Sequence, residues 1–204
     1  MSLIVERKES NYYLGIWKIS EEEDELLSLL EPNKIELERM SHIQSVWRRK
    51  EWMASRLMAS NFFEEKTHIS YDAYGRPVVD DRKERISISH SKRYVAVLIS
   101  ASFKPTIDIE LPQQKIRSIA HKFINEKERQ LFDCTKSFNL YRIWCAKECA
   151  FKYHHLGGVD FKEHILVEPD GENIQATFHK NDELFSLKLK FETNDNYVLC
   201  FNDQ

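Results

Sequence analysis

The chain has 204 residues, 42 % of them hydrophobic and 31 % charged, with a formal net charge of −3. That length can bury a real core as one domain or two small ones, and the mildly acidic balance argues against a general nucleic-acid binder. No apolar run is long enough to span a membrane. Met1 is followed by Ser-Leu-Ile-Val-Glu-Arg, too short and too charged for an export signal, so a cytoplasmic protein is expected, with Cys134, Cys145, Cys149 and Cys200 as reduced thiols.

Residues 11–19 alternate loosely around Tyr13, Ile16 and Trp17 and predict the first strand. Ser20-Glu21-Glu22-Glu23 reads as a capping box with a helix start at Ser20, and Pro32 ends that helix. A second helical region is predicted over 34–65. Its later part carries Arg48, Arg49, Lys50 and Arg56, which read by themselves as a solvated basic face. Short strands follow at 67–71 and 77–79, around a Gly75-Arg76-Pro77 turn. An antiparallel pair is predicted around a Ser89-His90-Ser91-Lys92 turn, with two hydroxyls and a lysine beside the histidine, a setting for anion contacts. Ser102-Phe103-Lys104-Pro105 marks a hinge, giving subdomains 1–104 and 105–204.

Residues 106–110 read as a strand in which Asp108 and Glu110 share one face and Ile107 and Ile109 the other. Residues 115–123 predict a helix. Asn125-Glu126-Lys127-Glu128 is an Asn-led capping box for another, with Phe132 inside it. The strongest helical pattern is 139–155, ended by Gly157-Gly158, with Leu140, Ile143, Trp144 and Phe151 as its apolar stripe. Strands at 163–167, 174–179, 183–191 and 197–201 close the chain.

On the 139–155 helix Glu148 and Lys152 lie four apart and share a face. Read alone, they are a surface ion pair, and Asp108 and Glu110 are solvated charges on an edge strand. Read together, three carboxylates and an ammonium from two elements form an oxygen-donor set for Mg²⁺ with a phosphate-facing lysine. Cys145 and Cys149 are also four apart, with His154 and His155 beyond. That spacing fits no common zinc pattern, and core cysteines are the better reading.

The Asp-Ile-Glu strand, followed some forty residues later by Trp144, Lys147, Glu148 and Lys152, resembles the 4′-phosphopantetheinyl transferases. Ser87-Ile88-Ser89-His90-Ser91 resembles that family's Ser-His-Ser element. Tyr74-Gly75-Arg76-Pro77 resembles its Gly-Lys-Pro turn, with Arg for Lys. The order and spacing, from about residue 49 to 158, are those of the longer, Sfp-type members. The resemblance implies an α+β fold of two similar subdomains related by a pseudo-twofold, each a small antiparallel sheet with packed helices, and an active site in the cleft between them. It implies a monomer that moves phosphopantetheine from coenzyme A to a serine of an acyl or peptidyl carrier protein. Asp108, Glu110 and Glu148 would hold Mg²⁺ or Mn²⁺, and Glu148 and Lys152 would act in catalysis. Arg49, Lys50, Arg56, Arg76, Ser89 and His90 would hold coenzyme A, with the choice between Arg49 and Lys50 open. Thr106 stands where the family usually has Gly, and His154-His155-Leu156-Gly157-Gly158 where it tends to Gly-x-Gly spacing. The alternatives are a non-catalytic binder of coenzyme A or nucleotides with the same fold, and a metal-dependent phosphohydrolase.

Overall fold

The computed structural model describes residues 3–113, 115–154 and 157–204. His155 and Leu156, and with them the expected last residue of the 139–155 helix, lie outside the described residues. The chain divides into two units, Met1–Ser102 and Phe103–Gln204.

The first unit contains β1 (Leu3–Lys8), β2 (Tyr13–Lys18), α1 (Glu23–Leu30), α2 (Lys34–Ser41), α3 (Val46–Phe63), β3 (Ile69–Tyr71), β4 (Pro77–Val79), β5 (Arg85–Ser91) and β6 (Tyr94–Ser100). Its antiparallel sheet runs β1-β2-β6-β5-β4-β3. Tyr13, Trp17, Val95, Val97 and Ile99 from the central strands meet Met53, Met58 and Ala59 of α3 and Leu26 of α1 in one core.

Several details differ from the sequence reading. Strand β1 was not expected: it is an edge strand with no fully buried residue, so its charges mask the alternation. Helix α1 starts at Glu23, not Ser20. The Glu21 carboxylate is taken by Ser20 N–H (2.9 Å) and the Trp17 indole (3.2 Å), so Glu22 caps the helix with Glu25 closing the box. The predicted 34–65 helix breaks after Ser41, because Ser45 caps a new helix by accepting from Arg48 N–H. His90 lies in strand β5 rather than in a turn. Ser91 pairs with Tyr94, and the two-residue loop between them places Lys92 at φ 52.

The second unit contains β7 (Ile107–Glu110), α4 (Lys115–Ile119), a 3₁₀ turn (Ala120–Lys122), α5 (Glu126–Leu131), α6 (Ser137–His154), α7 (Phe161–His164), β8 (Ile165–Asp170), β9 (Asn173–Lys180), β10 (Glu183–Thr193) and β11 (Val198–Phe201). Its antiparallel sheet runs β7-β11-β10-β9-β8. Helix α6 lies on the sheet, and Leu140, Ile143, Cys145 and Cys149 pack with Val167, Phe178, Leu189 and Cys200. Phe132 follows α5 instead of lying within it. The start of the predicted 163–167 strand is instead the short α7, because Asp160 caps it, accepting from Lys162 and Glu163 N–H. Among the described residues no helix is long and apolar enough to cross a membrane.

Candidate active site

In the second unit the site is built where β7 meets α6. Strand β7 is fixed in register by β11, with Asp108 opposite Cys200 and Glu110 opposite Val198. Thr106, just before it, is buried, and its hydroxyl donates to Cys149 O at 2.7 Å. Its N–H donates to the Asn202 side chain at 2.8 Å. Thr106 is therefore a tie between the strand and the helix. Ile107 and Ile109 are buried as expected, but so is Asp108, because α6 covers the carboxylate face.

Lys152 on α6 donates to Asp108 Oδ1 at 2.7 Å and to Ile107 O at 2.8 Å. The Trp144 indole N–H donates to Glu110 Oε1 at 3.1 Å. Both carboxylates of the strand are thus held by residues of one face of α6. Burial pushes the Glu148 carboxyl up to about 7; Asp108 adds to this, Lys152 opposes it, and Glu110 adds again. Burial acts to lower Lys152, but Asp108, Cys149 and Glu148 outweigh it and the ammonium is held above its ordinary value. Cys145 and Cys200 are raised well above the usual thiol range, burial being the main cause, and stay neutral.

Among the described residues no three His, Cys, Asp or Glu side chains are gathered as a metal centre as they stand. The chemistry of the donors nevertheless fits a hard cation. Asp108, Glu110 and Glu148 offer only carboxylate oxygens, and their mutual repulsion, felt at Glu148, is what a divalent cation relieves. Burial at Cys145 and Cys200 disfavours the thiolate form that a soft metal prefers. Beside Trp144, an apolar cavity of about 450 Å³ is lined by Ile119, Phe123, Trp144, Val159 and Phe161, with Lys122 and Asp160.

In the first unit a cavity of about 410 Å³ is lined by Arg48, Glu51, Trp52 and Ser55 of α3, by Tyr71, Gly75 and Pro77 of the β3–β4 hairpin, and by Ile43, Ile88 and His90. The Arg48 guanidinium lies 2.8 Å from His90 Nδ1 and 2.6 Å from Nε2, and 3.1 Å from Glu51. His90 is 3.5 Å from the same carboxylate. Two basic groups are therefore drawn together at the cavity by one buried glutamate, whose own carboxyl is raised chiefly by burial.

The expected coenzyme A residues divide on this frame. His90 faces the cavity; so do Gly75 and Pro77, on either side of Arg76. Arg76 clamps the turn by pairing with Asp72 at 2.6 Å, while Gly75 takes φ 80. Arg49 pairs with Glu23 and donates to Ile43 O and Gln44 O, and Lys50 pairs with Glu22, so both tie α3 to α1. Arg56 is fully buried. It donates to Trp52 O and Ile69 O and stacks on Trp52 at 3.5 Å. Ser89 is buried in β5. Arg48 and Glu51, which line the cavity, were not among the site residues expected from the sequence, although Arg48, Glu51, Trp52 and Ser55 follow i, i+3, i+4, i+7 spacing and so form one face of the helix.

A strand with two carboxylates is tied by a half-buried lysine to a helix bearing a third, a set of oxygen donors suited to a hard cation. Residues 106–201, nearly the whole second unit, match the family model of the 4′-phosphopantetheinyl transferase superfamily. The two antiparallel sheets with packed helices have the α+β architecture expected from the resemblance. No curated protein matches the chain.

Proposed function

We propose that this protein is a phosphopantetheinyl transferase, moving the phosphopantetheine arm of coenzyme A to a serine of an acyl or peptidyl carrier protein. The observation that carries the reading is that α6, which bears Glu148, binds both carboxylates of β7, Asp108 through Lys152 and Glu110 through Trp144, inside the segment that matches the superfamily.

The carrier serine Oγ attacks the β-phosphorus, the bond from that phosphorus to the bridging oxygen breaks, and adenosine 3′,5′-bisphosphate leaves with the electron pair. Glu148 accepts the serine proton, directly or through a water. Lys152 has three N–H donors. Asp108 and Ile107 O take two, and the third is directed to phosphate oxygen as negative charge builds on the leaving group. A divalent cation, Mg²⁺ or Mn²⁺, held by Asp108, Glu110 and Glu148, supplies charge neutralisation for the pyrophosphate when bound. The apolar cavity beside Trp144 suits the uncharged pantetheine arm. Arg48 and His90, with Arg76 steadying the hairpin, suit phosphate and nucleotide. The protein is assigned to the cytoplasm as a monomer, and its carriers to fatty-acid, polyketide or peptide synthases.

Intact mass of apo carrier proteins after incubation with coenzyme A and Mg²⁺ tests this. The expected result is a carrier heavier by one phosphopantetheine. Release of adenosine 3′,5′-bisphosphate without a carrier would instead mean a phosphohydrolase, and tight coenzyme A binding without any product a binding protein. Glu148→Gln should lose about 10²–10⁴-fold in turnover while calorimetric binding of coenzyme A survives.

A further inference from the structure

An ion pair that the chemistry above does not use joins the segments carrying the walls of the apolar cavity. Glu128 and Lys147 are both 0 % exposed, with Oε1 and Nζ 2.7 Å apart. The Lys147 ammonium also donates to Phe161 O at 2.6 Å and Ile165 O at 2.8 Å, so all three of its donors are used. The Glu128 carboxylate also accepts from Val167 N–H at 3.0 Å and, through its second oxygen, from Asn125 N–H at 2.9 Å. One buried hub thus binds α5, α6, α7 and β8.

Stability alone is a weak reason for such a pair, since apolar residues of similar volume commonly match or exceed it. Burial works against both charges, raising Glu128 and lowering Lys147. What the pair does and an apolar pair does not is hold particular backbone atoms in place. Those atoms belong to the segments that bear the aromatic walls. Phe161 has its own carbonyl bound by Lys147. Phe123 stands two residues before Asn125, whose N–H is bound by Glu128. Trp144 is one turn before Lys147 on α6. The three rings touch, with Phe123–Trp144 centroids 5.0 Å apart and Trp144–Phe161 centroids 5.6 Å apart.

We infer that Glu128 and Lys147 are positioning residues: the pair fixes the spacing of Phe123, Trp144 and Phe161, and thereby the affinity of the cavity for the pantetheine arm of coenzyme A. The identity of the ligand rests on the transferase reading; the geometry of the tie does not.

The test compares the full-length wild type with the double variant Glu128→Leu/Lys147→Met, reading thermal unfolding, calorimetric binding of pantetheine, and KM and kcat for coenzyme A. The expected double variant unfolds within a few degrees of wild type, while pantetheine affinity falls and KM rises by about tenfold. Its kcat changes by less than about threefold. A folded double variant with wild-type pantetheine affinity and KM overturns the inference. If the double variant does not fold, Lys147→Arg takes its place. It keeps the charge but cannot set three donors on the same acceptors, and the same split between stability and KM is required of it. A wild type that binds pantetheine but modifies no carrier overturns the transferase reading, and pantetheine affinity across the variants still decides this one. A wild type that binds no pantetheine overturns the inference directly.

Discussion

Two arginines eight positions apart on α3 show how little a basic residue's type says about its work. Arg48 reaches the cavity beside His90, whereas Arg56 is buried against Trp52 and satisfies Ile69 O. Arg48→Ala, which takes a partner from the buried Glu51, should cost about 1 kcal/mol or less and raise the KM for coenzyme A by roughly tenfold. Arg56→Ala strips donors from buried carbonyls and should destabilise by about 2–4 kcal/mol; urea unfolding and steady-state kinetics on the pair check both. Glu148 carries a second residue-scale consequence. Its folded pKa of about 7 lies above the ordinary value of 4.5, so between these values the folded state binds more protons than the unfolded one. Without metal, stability therefore falls as pH rises from about 4.5 to about 7, and the penalty is fully present above that range. It is on the order of 3 kcal/mol. Thermal unfolding in chelator should show this slope in the wild type and lose it in Glu148→Gln, and Mg²⁺ above pH 7 should recover stability in the wild type alone. Parallel pH profiles for the two proteins would refute it.

At the scale of the element, α3 sits close to the central strands because β2 offers no side chain at Gly15. A Cβ there would come within 2.9 Å of Tyr13 Oη and 3.1 Å of Met58 Sδ. Gly15→Ala should cost about 1–3 kcal/mol, as overpacking of a close contact does, with the transition midpoint in urea as the readout and an unchanged midpoint as the contrary result. The capping groups explain the helix boundaries in the same local terms. Asn33 with Glu36, and Asn125 with Glu128, close reciprocal boxes. Glu128 does more than cap, since its carboxylate also reaches Lys147 and Val167.

At the scale of the molecule, each unit has its own apolar core and its own antiparallel sheet. The candidate carboxylates, the lysine and the basic cavity residues all belong to one chain. On the transferase reading, activity per molecule should be constant on dilution, with light scattering reporting a monomer across the same concentrations. Loss of specific activity in step with dissociation of a larger species would count against this.

The strand of Asp108 and Glu110, the α6 helix with Glu148 and Lys152, and the alternation of the closing strands are legible in the sequence, because each is set by a period of two or of about four residues. So was the spacing of Arg48, Glu51, Trp52 and Ser55, although charge alone read that stretch as a solvated face and the family resemblance pointed to Arg49, Lys50 and Arg56 instead. The sequence could not tell which arginine meets solvent, because burial of Arg56 depends on Ile69, thirteen residues away and brought near only by the sheet. Nor could it show that Thr106 ties strand to helix through Cys149 O, or that Glu128 and Lys147 meet inside the core. These contacts join residues far apart in the chain, and packing of helices on the sheet, not local propensity, decided them.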